Sequence, residues 1–153
     1  MSHREELSSM FDYDRWATLQ WLETARAMGE EAILLHMLQA QITWLSRIQG
    51  TANWAPKMED FVINLERTTG GYKRLLLGSD LGQIVTYSNS RGEVYENTVS
   101  EILRQVLHHG TYHRGQLRGI AGERGIEFPE TDFIAFVRSP FGRGNRISTA
   151  GVM

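Results

Sequence analysis

Apolar residues recur at steps of three and four along four stretches of the chain. In the first, Met10, Tyr13, Ala17, Trp21, Ala25 and Met28 share one helical face, and Gly29 closes the pattern. In the second, Ile33, Met37, Ala40, Trp44 and Ile48 repeat it, and Gly50 follows. Leu34, Leu35 and Leu38 make the opening turns of this stretch apolar nearly all round, which predicts burial on several sides. Met58, Phe61, Leu65, Tyr72 and Leu76 form the third stripe, with Gly70-Gly71 inside it. Each glycine costs a helix about 1 kcal/mol relative to alanine, so a weak point or a break is expected there. The fourth stripe runs Val99, Ile102, Val106, His109, His113, Ile120, and Gly125 is placed to end it.

The segment before the fourth stripe has another rhythm. "QIVTYSNSRGEVYENT" alternates, is rich in β-branched and aromatic residues, and carries "NSRG" at its middle, which predicts a short hairpin or extended excursion. Thr98-x-x-Glu101 then has the spacing of a capping box. Further on, "FPETDF" breaks the chain and offers Thr131 or Asp132 as N-cap of a short helix from Phe133 to Arg138. After Pro140 the sequence is polar and glycine-rich. The expected fold is all-α: an antiparallel four-helix bundle with a long crossover carrying the hairpin, plus a short C-terminal helix. Residues 1–140 are expected to form one domain and 141–153 a loose tail.

Composition narrows the function classes. The chain has 153 residues, enough for a core without staples, and no cysteine. A disulfide framework, a thiolate metal site and a cysteine nucleophile are therefore excluded. A net charge of −2 gives no polyanion-binding surface, so no nucleic-acid partner is expected. "MSHREELSSMFDYDRW" lacks a signal-peptide apolar run, and no apolar run approaches membrane-spanning length. The expectation is a cytoplasmic protein with no membrane partner.

The histidines change the picture. Three of the five lie in "HHGTYH", from His108 to His113. His109 and His113 are spaced i, i+4, which stacks two imidazoles on one helix face and suits one divalent ion. Buried imidazoles need partners, and a metal supplies them. His108 points about 100° away. His36, on the most apolar part of the second stretch, is placed to meet the pair across a bundle. Two satisfied core histidines, or three, are the plain alternative. Three nitrogens without a fourth protein ligand would leave a position open, as catalysis requires. His3, near a terminus expected to fray, reads as uninvolved, and no Glu-x-x-His pair points to a di-iron site. Asp12 and Asp14 are candidate bases or solvated residues. Arg114 reads as exposed or ion-paired, and Gln116 as a support for the site or simple packing. Trp16, Trp21, Trp44 and Tyr112 read as packing residues. Gly110, Gly115, Gly119 and Gly122 inside the fourth helix suggest close approach of another backbone, within the bundle or across a dimer seam.

"HHGTYHRGQLRGIAGERGIEFPETDFIAFVR" resembles the C-terminal signature of the DinB family of four-helix-bundle proteins. "FDYDRWATLQWLETA" resembles that family's first helix, "LLHMLQAQITWLSRIQG" its second, and "YSNSRGEVYENTVSEIL" its connection to the fourth. The resemblance implies one divalent metal, zinc or nickel, held by His36, His109 and His113, and a homodimer. Thiol-dependent transferases and isomerases among the wider relatives imply a low-molecular-weight thiol such as bacillithiol, mycothiol or glutathione as small-molecule substrate. With no cysteine in the chain, the sulfur would come from that cosubstrate. A metal-hydroxide hydrolase is one alternative. A non-catalytic, stress-associated bundle with a structural metal is another, since the family name describes DNA-damage induction and not chemistry.

Overall fold

The computed structural model describes residues 1–144. The elements are α1 (His3–Met28), α2 (Glu31–Gln49), a single 3-10 turn at Met58–Asp60, α3 (Phe61–Gly78), strands β1 (Ile84–Ser88) and β2 (Val94–Thr98), α4 (Val99–Glu123) and α5 (Phe133–Arg138). The protein is thus a helical bundle with one small two-stranded sheet. Of the expected tail, residues 145–153 lie outside the described residues.

Local chemistry explains the boundaries. A capping box starts α1: Ser2 accepts from the Glu5 amide, and Glu5 accepts from the Ser2 amide at 2.9 Å. The helix therefore begins seven residues before the first member of its expected stripe, and His3 is its first helical residue rather than part of a frayed end. Thr98 and Glu101 make the same reciprocal pair at the head of α4. At its other end, Gly125 sits at φ 66°. Its amide donates to Gly122 O, and that of Ile126 donates to Ala121 O, which satisfies carbonyls the helix leaves orphaned. Arg4 serves the end of α3, donating to Leu76 O and Ser79 O at 2.9 and 2.7 Å.

α3 runs unbroken through Gly70-Gly71, so of the expected weak point or break, the break does not occur. The reason is packing. A Cβ on Gly71 would lie 2.7 Å from Leu45 Cδ2, so glycine lets α2 and α3 approach, and the contact holds a helix that propensity alone would weaken. The expected face of α2 is also shifted. Its buried line is Leu34, Met37, Leu38, Gln41, Ile42 and Ser46. Ile33, Ala40, Trp44 and Ile48 are only half-buried, because an all-round apolar stretch does not say which side meets the core.

The chain direction differs from an antiparallel bundle. Two large apolar clusters fill most of the interior, and a small third one, Tyr13, Ala17 and Phe136, seats α5 on α1. Of the large ones, one takes Leu7 and Phe11 from α1, Tyr72 and Leu75 from α3, and Ile102 and Leu103 from α4. The other takes Trp21 and Ala25 from α1, Leu34 and Leu38 from α2, Phe61 and Leu65 from α3, and Leu117 from α4. α1 and α4 pass from the first cluster to the second, whereas α2 and α3 pass from the second toward the first, where Trp44, Leu45 and Ile48 pack. So α2 and α3 point the same way. The chain returns along the bundle through residues 51–57, which are non-helical and pass Gln39, whose Nε2 donates to Trp54 O. An extended segment of this length spans roughly the rise of α2. The hairpin is not the crossover. It joins the neighbouring ends of α3 and α4, in the antiparallel register Ile84 to Thr98 and Ser88 to Val94. Val99 and Ser100 amides donate to Gln83 O and Leu81 O, which anchors the start of α4.

Between the two clusters the helices change character. α1 places Asp14 and Thr18 there, α2 Gln41, α3 Thr68 and Thr69, and α4 Gly110 and Arg114. The core is interrupted by a polar layer in all four long helices.

Candidate metal centre

His109 and His113 sit one turn apart near the middle of α4, and α2 brings His36 against them. Ring centroids are 4.4 Å apart for His109–His113, 4.7 Å for His36–His113 and 5.1 Å for His36–His109. One nitrogen of each ring lies within 4.8 Å of those of the other two. The Nε2 atoms of His109 and His113 are 3.1 Å apart. Nitrogens bound about 2.0–2.1 Å from one tetrahedral ion lie roughly 3.3 Å from each other, so the His109–His113 pair already has the spacing of two ligands on one metal, and His36 would close in from within 4.8 Å. All three residues singled out in the sequence are therefore together. His108 is exposed and outside the cluster, as is His3.

The site lies at the rim and not in the core. His36 is exposed, and His109 and His113 are half-buried. The expected stripe of α4 is buried at Val99, Ile102 and Val106, but beyond them the buried line runs through Gly110, Arg114 and Leu117 and leaves His109 and His113 to one side. Burial nonetheless lowers the pKa of both His36 and His109 below the ordinary imidazole value, and neighbouring imidazoles lower it further. Asp14 opposes the shift at His109. Neutral rings with free lone pairs are what a metal requires. Gln116 Oε1 lies 2.8 Å from His113 Nδ1. In this orientation the amide oxygen accepts, so Nδ1 carries the hydrogen and Nε2 faces the cluster bare. Without an ion, the cluster satisfies itself only by one His109–His113 hydrogen bond, and among the described residues His36 has no hydrogen-bond partner for its ring. The donor set and its orientation fit a borderline-soft divalent ion.

The rest of the sequence reading divides. Asp12 is ion-paired with Lys73 at 2.7 Å on the surface. Asp14 is 1% exposed and fully engaged, so it is neither solvated nor a free base. Arg114 is buried at 4% exposure and paired with it. Tyr112 is not a packing residue: it is 74% exposed, with its ring edge-on to His113 at 5.2 Å. Tyr112, His113 and Gln116 line a shallow, solvent-open depression beside the cluster. Trp21 packs in the core and donates to Thr131 Oγ1 at 3.1 Å, while Tyr13 donates to Thr131 O at 2.7 Å. Through Thr131 these aromatics hold the loop before α5. Of the four α4 glycines, none receives another backbone among the described residues. Gly110 clears side chains, and Gly115, Gly119 and Gly122 have nothing within 4 Å of where a Cβ would stand. Sequence reasoning missed Gln41, a polar residue in an apolar run, and the joint role of Asp14 and Arg114.

The chain is similar to "Protein DinB" of Bacillus subtilis (strain 168). The two are 22% identical over 156 residues, an alignment covering 81% of this chain and 89% of that protein. No family model matches the chain. The likeness to DinB and the three-histidine cluster are compatible with a metal-binding, DinB-like protein. Among the described residues no helix is long and apolar enough to cross a membrane.

Proposed function

We propose that this chain is a mononuclear metalloenzyme in which His36, His109 and His113 hold one zinc or nickel ion, and that it transfers a low-molecular-weight thiol to an electrophilic small molecule. The observation that carries the reading is the convergence of three imidazole nitrogens within 4.8 Å, at a surface open to solvent. A bound divalent ion would supply Lewis acidity, lowering the pKa of a coordinated thiol toward neutrality. Gln116 fixes the His113 ring by its contact at Nδ1. The exposed face of His36 leaves the site reachable from solvent. Tyr112 offers a phenol and a flat ring at the same surface.

What the cluster omits counts against a hydrolase with a carboxylate base, whereas a metal-hydroxide hydrolase needs none and stays the alternative. Among the described residues no carboxylate joins the three histidines, and the buried Asp14 is committed to Arg114 and Gln41. A hydrolase that relies on a carboxylate base would find none there, whereas a metal-ionised thiol needs no such base. The similarity to DinB supports the metal site, and a homodimer belongs to the same proposal.

The first test is metal content by elemental analysis of untagged wild type and His113→Ala. About one equivalent of metal in wild type, lost in the variant, is expected. No metal in either protein after incubation with zinc and with nickel would remove the reading. The loaded protein is then given bacillithiol, mycothiol or glutathione with an electrophilic arene, and thiol consumption is followed. Metal binding without turnover of any thiol leaves a structural metal as the better account.

A further inference from the structure

At the level of the histidines, the polar layer contains a set of interactions that no surface role explains, with Gln41 Oε1 the one buried side-chain atom left without a partner among the described residues. Arg114 Nη1 donates to Asp14 Oδ1 at 2.6 Å and to Thr18 Oγ1 at 3.2 Å. Its Nη2 donates to Thr111 Oγ1 at 3.3 Å. Gln41 Nε2 donates to the other Asp14 oxygen at 2.7 Å. Tyr72 of α3 donates to Gln41 O at 2.6 Å. Asp14, Gln41 and Arg114 are all nearly sealed from solvent, at 1, 5 and 4% exposure. A buried pair of this kind is a poor source of net stability, because both ions lose their hydration. In some proteins its value lies instead in fixing register between elements.

The sequence positions say what is being registered. Arg114 follows the ligand His113, and Gly110 follows the ligand His109. Gln41 lies little more than a turn beyond His36 on α2. Asp14, on α1, carries no ligand but holds both ligand-bearing helices, one through each carboxylate oxygen. Gly110 makes the arrangement possible. A Cβ there would stand 2.3 Å from Asp14 Oδ1 and 3.1 Å from Arg114 Nη1. Asp14 makes no hydrogen bond to a histidine, so its action on the site is through helix placement and charge.

We propose that Asp14, bridging Gln41 and Arg114, is the positioning residue of the three-histidine centre, setting the gap across which His36 reaches His109 and His113. The inference rests on the metal-centre reading above. It goes beyond it in assigning the spacing of the ligands to a buried carboxylate on the helix that has none of them.

Cobalt(II) is the probe, since its visible d–d bands report coordination number and ligand geometry independently of any activity. Wild type, Gln41→Met, Asp14→Asn and His36→Ala are titrated with cobalt, with far-UV circular dichroism and Tm recorded for each. Gln41→Met keeps the volume and the ion pair and cuts only the tie to α2, so it decides the matter if Asp14→Asn fails to fold. The expected result is a folded Gln41→Met protein with cobalt affinity about 10- to 100-fold weaker, as for other groups that orient ligands, and with a displaced visible spectrum. If Gln41→Met and any folded Asp14→Asn lose Tm but keep wild-type affinity and spectrum, while His36→Ala loses binding, the positioning role is overturned and the metal centre stands. If wild type itself binds no cobalt, the metal centre falls and the positioning role with it.

Discussion

A single hydrogen bond decides how His113 presents itself. Its Nδ1 meets Gln116 Oε1, and the ring has only one nitrogen left to offer. Gln116→Ala should therefore weaken zinc binding by about 10- to 100-fold while barely changing Tm, measured by competition with a chromogenic chelator. An unchanged affinity would mean that Gln116 merely packs. Gly110 makes the opposite kind of prediction. Gly110→Ala would gain helix propensity but drive a methyl into Asp14 and Arg114, and the collision is with a buried pair that cannot move aside. A loss of roughly 1–3 kcal/mol in chemical denaturation is expected. Residues of this kind were only half legible. The i, i+4 spacing exposed His109 and His113, since a stacked pair needs nothing beyond helix geometry. Gln41 was hidden because a lone amide in an apolar run gives no sign of its partner, which comes from α1.

Among the elements, α4 carries its own contradictions. Its interior glycines at 115 and 119 face open space and hold no left-handed conformation. Gly115→Ala and Gly119→Ala should each stabilise the protein by about 1 kcal/mol, read as a rise in the denaturation midpoint. A loss of stability, or a change in association state by light scattering, would instead show that another chain covers this face. The capping box at the start of α4 predicts a pH dependence. The Thr98 amide, then the Thr98 hydroxyl, hold the Glu101 pKa below the usual glutamate value. A carboxyl with a depressed folded pKa adds stability that is present above its unfolded pKa and lost as pH falls through the folded one. The Tm gap between wild type and Glu101→Gln should thus be open at neutral pH and close in acid. That box was readable because its spacing is local. Ser2-x-x-Glu5 carries the same pattern and marks the true start of α1, ahead of the apolar stripe that first draws attention.

At the scale of the whole molecule, periodicity identified the four long helices and the hairpin but not their directions. A stripe reports which face is buried and is silent about which way the chain runs. The parallel course of α2 and α3 follows from the extended return through residues 51–57, a stretch with no periodic signal of its own. The polar layer escaped for a related reason. It exists only when Asp14, Gln41 and Arg114, each unremarkable in its own helix, come together. The metal should also be felt globally, because it joins α2 to α4. At a free zinc concentration 100 times its Kd, linkage gives about 2.7 kcal/mol of added stability. The Tm should rise on adding zinc and fall back with a chelator, and His36→Ala should abolish the response.

The position of the histidines at the rim has a practical consequence. Three imidazoles gathered at the surface, one exposed and two half-buried, are what an immobilised nickel column selects. The untagged chain should be retained on such a resin and released by free imidazole, whereas His36→Ala should pass through or elute early. An ion held so near the surface exchanges with its surroundings and follows supply and the Irving–Williams order. Nickel found after such a column would then record the chromatography, and the native occupant is better sought in protein purified on resins that carry no metal.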